Sequence, residues 1–70
     1  MSARTRAAAA LRRTIVHEAQ RCEHWLAEAQ ARADAGKHGS AICLRLVARQ
    51  RSEAAFAAAM ALRALQEQGA

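Results

Sequence analysis

The chain has 70 residues, 21 of them alanine, and its 11 basic residues against 6 acidic ones give a net charge of +5 at pH 7. A chain this short excludes two domains, a Rossmann unit and a barrel. Charged residues interrupt every apolar stretch before it reaches the roughly 18 residues of a membrane span. The apolar run after the basic N-terminus is too short for a secretory signal. We therefore expect no membrane association.

The residue types favour helix throughout the chain. Alanine, leucine, arginine, glutamine and glutamate are strong helix formers, whereas the β-branched residues that a sheet needs are few. One break is visible: Gly36 suits the left-handed position that ends a helix, and Ser40 suits an N-cap. The sequence predicts one all-α unit over 1–70, an antiparallel two-helix hairpin with helix 1 at about 4–35, a turn at 36–40 and helix 2 at about 41–67.

The two predicted helices differ in the width of their apolar surface. Helix 1 has one stripe, widened by Trp25 and opposite a polar face: Leu11, Ile15, Ala19, Cys22, Leu26, Ala29, Ala33. Helix 2 has a main stripe of Leu44, Val47, Ala48, Ala55, Ala58, Leu62 and Leu65. A second stripe lies on nearly the opposite side: Ile42, Leu46, Phe56, Met60. A helix that is apolar on most of its circumference is normally buried on more than one side.

A single hairpin cannot bury helix 2 on two sides, so the pattern favours self-association. We expect a homodimer that forms a four-helix bundle, with helix 2 nearer its centre. The predicted interface residues are Leu44, Val47, Phe56, Met60 and Leu62. The alanine-rich segment 54–61 has two interpretations, either helix propensity alone or close packing between helices.

The residues that could take part in catalysis or metal binding do not form a recognisable site. His24 and Glu28 are spaced i, i+4 and supply at most half of a metal site. Cys22 and Cys43 are too far apart in a straight hairpin for a disulfide, so we expect two reduced thiols and a cytoplasmic location. No nucleophile–base pair or phosphate loop is present in the sequence. We predict that the protein is not an enzyme and uses no metal, cofactor or small-molecule substrate.

The distribution of charge leaves two functions open. Basic blocks without acids occupy 1–16 and 37–51, and the candidate phosphate contacts are Arg4, Arg6, Arg12, Arg13, Arg45 and Arg49. No aromatic residue that could stack on bases is interleaved with these blocks. The first expectation is therefore an adaptor or small subunit that binds a protein partner. The alternative is a basic regulatory module that binds RNA or DNA.

Arg51 interrupts the main stripe of helix 2. In a straight hairpin it lies near Trp25. We expect its guanidinium to stack on the indole, to pair with Glu18 or Glu23, or to reach water while its stem packs.

Overall fold

Two long helices packed side by side account for nearly all of the described residues. The computed structural model describes residues 2–69; Met1 and Ala70, the ends of the predicted 1–70 unit, lie outside the described residues. Helix α1 spans Ala3–Asp34 and helix α2 spans His38–Gln68. The predicted all-α antiparallel hairpin is confirmed, and its extents are 51 × 17 × 12 Å.

The turn between the helices is shorter than the sequence predicts. Gly36 has φ 78°, and its amide donates to the carbonyl of Ala33 at 3.0 Å while the Lys37 amide donates to Arg32 at 2.8 Å. These two bonds form a Schellman motif, which confirms the predicted role of Gly36. Because this motif completes the reversal of the chain by Lys37, α2 begins at His38 instead of near residue 41.

The prediction that Ser40 caps α2 is wrong. Lys37 occupies the N-cap position and makes no side-chain cap hydrogen bond. Ser40 lies within the first turn of the helix, where its hydroxyl accepts a hydrogen bond of 2.8 Å from Nη1 of Arg32. The side-chain cap is found at the other helix, since Ser2 Oγ accepts from the Thr5 amide at 3.1 Å.

Alanine forms the buried part of the contact between the helices. Among residues 2–69 the buried positions are Ala29, Ala41, Ala48 and Ala58. Such small side chains allow two helix axes to approach near the low end of the usual 8–10 Å range. Within the segment 54–61, Ala58 is buried while Ala57, Ala59 and Ala61 are exposed, so only one side of this segment packs against α1.

The face of α1 that meets α2 differs in part from the predicted stripe. The prediction for Ala19 and Leu26 is wrong, because both are exposed. The half-buried positions alternate in steps of three and four, a mean of 3.5 that keeps one seam between two wrapped helices in contact. The positions of this seam are Ala8, Leu11, Ile15, Glu18, Cys22 and Trp25, followed by the buried Ala29, while Ala9, Glu28 and Ala33 are half-buried as well.

Arg51 crosses the seam to a carboxylate of α1. Its Nη1 lies 3.2 Å from Oε2 of Glu18, whose side chain is only 14% exposed, against 40% for Arg51. Of the alternatives left open by the sequence, the pairing with Glu18 is the one that the structure contains. The indole of Trp25 instead has Arg21 over its ring, 5.5 Å from the centroid. Glu18 is therefore an acidic residue in an apolar seam that depends on a partner from the other helix.

Replacement of Gly36 in the turn and of Gly39 in the first turn of α2 should have opposite effects on stability. A Cβ at either position meets nothing within 4 Å, so backbone conformation decides the outcome. We expect Gly36→Ala to lower the free energy of unfolding by about 1 kcal/mol, because φ is positive there. The matched control Gly39→Ala lies inside α2 and should raise it by about 0.5–1 kcal/mol. Urea unfolding measures both, and equal effects would contradict the assigned turn.

Removal of the charge at Arg51 should cost stability. Arg51→Leu leaves the Glu18 carboxylate without its partner, and we expect a loss of about 1–3 kcal/mol in the free energy of unfolding. The double variant Glu18→Leu/Arg51→Leu removes both charges and should recover most of that loss. A gain of stability in Arg51→Leu alone would mean that the pair makes no net contribution.

Candidate functional site

A row of large apolar side chains lies open on α2. Phe56 is 68% exposed, Ile42 56%, Leu46 55% and Met60 48%. At 100° per residue these positions lie about 150° around α2 from the seam with α1. The hairpin therefore covers one apolar face of α2 and leaves the second exposed, as its sequence pattern indicates.

Two ion pairs continue the same row. Arg49 Nε lies 3.1 Å from Oε1 of Glu53, and Arg63 Nε lies 3.0 Å from Oε1 of Glu67. Together with the apolar side chains they form a surface with steps of four and three residues. We call this surface the outer stripe: Ile42, Leu46, Arg49, Glu53, Phe56, Met60, Arg63, Glu67.

The outer stripe has a regular internal order that hydrophobicity alone does not reveal. An apolar pair alternates with an Arg–Glu pair, and consecutive pairs are centred seven residues apart. The four apolar residues are evident from hydrophobicity, whereas the charged pairs between them are not. The signal was the unbroken 3.5-residue mean step, which is that of a coiled-coil seam.

The predicted interface residues divide between the two faces of α2. Leu44, Val47 and Leu62 are half-buried on the side that meets α1. Phe56 and Met60 are exposed on the outer stripe. The structure therefore leaves Phe56 and Met60 most available to another molecule, together with Ile42 and Leu46, which the predicted set did not include.

The structure separates the candidate phosphate contacts into two groups. Four lie on the N-terminal half of α1: Arg4, Arg6, Arg12 and Arg13. Arg4 and Arg12 line a groove of about 400 Å³ with Leu65, Gln66 and Gly69 at the open end of the hairpin. Arg45 and Arg49 lie on α2, and the antiparallel register places Arg45 about 20 Å along the axis from Arg13.

The two groups also differ in their ion pairs. Arg49 already pairs with Glu53. Among residues 2–69 Arg4, Arg12 and Arg13 of the first group and Arg45 of the second have no acidic partner, so the first group carries more of the available positive charge.

The remaining polar residues do not converge on a single point. His24 packs edge-on against Trp25, with ring centroids 4.7 Å apart, so it takes part in an aromatic contact on the α1 surface. Both Cys22 and Cys43 are free, and Cys43 is the more exposed. Within residues 2–69 no group of three or more His, Cys, Asp or Glu side chains is arranged to hold a metal ion.

Neither helix, as described over residues 2–69, is long and apolar enough to cross a membrane. Comparison with protein-family models, with curated proteins and with solved structures finds no match to this chain.

Proposed function

We propose that this protein is a non-catalytic helical-hairpin interaction protein that self-associates into a four-helix bundle and binds a protein partner as an adaptor or small subunit. The outer stripe of α2 is the observation that carries this proposal. Monomeric soluble proteins rarely leave several large apolar side chains aligned on one helix face in water, and such faces usually mark interaction surfaces. The exposed phenylalanine near the middle of α2 provides an aromatic anchor.

The shape of the hairpin supports association. It exposes 5004 Å² of surface, whereas a compact protein of this mass exposes about 4300 Å². The excess is close to the roughly 800 Å² that each partner buries in an interface of standard size. Since the buried positions among residues 2–69 are alanines and the larger side chains of the seam are half-buried, contact with another polypeptide would add much of the apolar burial that one chain lacks.

The two free thiols support a reducing compartment. A cytoplasmic location is therefore part of the proposal.

Nucleic-acid binding is the second candidate function, and the groove at the open end of the hairpin favours it. Arg4 and Arg12 line this groove, and Arg13 continues the basic surface along α1. Guanidinium groups suit the bidentate recognition of phosphate. Because the arginines of this surface lie on α1 and the outer stripe lies on another face of α2, the two functions can be tested independently.

Substitution of the aromatic anchor tests the first proposal. We expect Phe56→Glu to weaken self-association by at least about tenfold, because the interface would have to bury an unpaired charge. The helix content of this variant should fall as the dimer dissociates. The melting temperature of the unmodified protein should rise with protein concentration. Sedimentation and circular dichroism measure these effects.

Val16→Glu is the matched control for this experiment. Val16 is 55% exposed on α1, away from the outer stripe, so its replacement should leave the oligomeric state unchanged. A folded monomer of the unmodified protein at micromolar concentration, with a melting temperature independent of concentration, would overturn self-association.

A salt titration tests the second candidate. Binding of generic RNA or DNA through arginine–phosphate contacts should weaken linearly on a log–log plot against salt concentration. Arg12→Gln should reduce the slope by about one unit if this guanidinium contacts a phosphate. Arg63→Gln, on the other helix, is the control. Absence of binding at low salt would exclude this function.

A further inference from the structure

We propose that the partner bound by the outer stripe is a second copy of this chain, aligned antiparallel so that the twofold axis passes α2 at the level of Arg51, between Arg49 and Glu53. This inference rests on the self-association proposed above and adds the identity of the contacts. It follows from the order of apolar and charged residues along the stripe.

The outer stripe is complementary to itself when its direction is reversed. With residue 51 at the axis, Ile42 lies level with the second copy's Met60, and Leu46 lies level with the second copy's Phe56. Arg49 then lies level with the second copy's Glu53. Twofold symmetry repeats each contact, so within 42–60 every apolar side chain of the outer stripe meets an apolar one and every charge of the outer stripe meets its opposite.

The geometry of antiparallel helix pairs agrees with this alignment. Positions that alternate at steps of four and three correspond to the d and a positions of a heptad, and in an antiparallel pair each layer joins one a to one d. The aligned pairs all satisfy this condition, and the segment 42–60 spans about 27 Å of helix. The two chains therefore share a continuous seam.

Other alignments are poorer for physical reasons. When the axis is moved so that facing residues shift by seven positions, Ile42 and Leu46 lie against Arg49 and Glu53 of the second copy. This alignment buries charge against apolar side chains. A fourteen-residue shift restores complementarity but covers only two of the four apolar residues of each chain. A parallel pair in register brings Arg49 against a second arginine, which is unfavourable.

The direction of the Arg49–Glu53 pair supports a role between chains. Within a helix the favourable order places the acidic residue four positions before the basic one, and here the order is reversed in both stripe pairs. These pairs are also largely exposed, so they contribute little to the stability of their own helix. At the twofold axis, Arg49 and Glu53 of the two chains together form a network of four alternating charges.

The arrangement also defines the shape of the assembly. Because the outer stripe lies about 150° from the seam with α1, the two α2 helices lie together at the centre and the two α1 helices lie outside. The four helices form a flattened bundle in which the arginine-rich face of each α1 remains accessible.

Complementary charge variants test the contact between Arg49 and Glu53. Arg49→Glu gives a chain with two acids at the axis, and Glu53→Arg gives a chain with two bases. We expect each variant alone to self-associate at least about tenfold more weakly than the unmodified protein, because like charges face each other. An equimolar mixture should restore association as a heterodimer, detected by native mass spectrometry.

Arg63→Glu and Glu67→Arg are the matched controls. They change an exposed pair of the same spacing and direction, but the proposed alignment places that pair beyond the apolar overlap, so dimer affinity should change by less than about threefold. A strong effect of these controls, or no recovery on mixing the first two variants, would overturn the proposed alignment.

A distance measurement on the exposed thiol Cys43 separates the remaining alignments. In a Cys22→Ala background, nitroxide labels on Cys43 should lie about 24 Å apart along the helix axes. The fourteen-residue shift toward the C-terminus predicts about 45 Å, and a parallel pair places both labels at one level, about 10 Å apart. A dimer with either of those distances overturns the alignment and leaves self-association standing. A monomer overturns both.

Discussion

The close contact of α1 and α2 along a seam of alanines is the constraint on which the rest of the structure depends. Small side chains at Ala29, Ala41, Ala48 and Ala58 let the helices approach, but each buries little apolar area. Larger residues such as Trp25 and Leu44 can only be half-covered. The hairpin is consequently long and thin, with a radius of gyration of 15.9 Å against about 11 Å for a compact domain of this length.

The second helix carries two seams, and this distinguishes it from the first. Both faces of α2 repeat with a mean step of 3.5 residues, so each can follow a neighbouring helix over its whole length. The inner seam includes the charged contact between Arg51 and Glu18. Such a pair favours one register, because sliding the helices by a turn would leave both charges against apolar side chains.

The charged side chains of α2 and of α1 form two different kinds of surface. The ion pairs of α2 lie on its outer side, at Arg49–Glu53 and Arg63–Glu67, where they interrupt an apolar row at regular intervals. Three of the arginines without an acidic partner among residues 2–69 lie close together on the N-terminal half of α1, at Arg4, Arg12 and Arg13, whereas Arg45 is such a residue on α2. One helix thus presents an alternating surface suited to a polypeptide, and the other presents a basic surface suited to anions.

The sequence by itself determined the two helices, the reversal at Gly36 and the second apolar face of α2, because propensity, a left-handed glycine and periodicity are local properties. Only the tertiary structure decided which residues of α1 meet α2. Small departures from 3.6 residues per turn accumulate over 32 residues, so the seam passes through Glu18 and Trp25 while Ala19 and Leu26 turn outward. Ser40 likewise bonds Arg32 instead of capping α2, since the Schellman turn lets α2 begin earlier and brings the two side chains together.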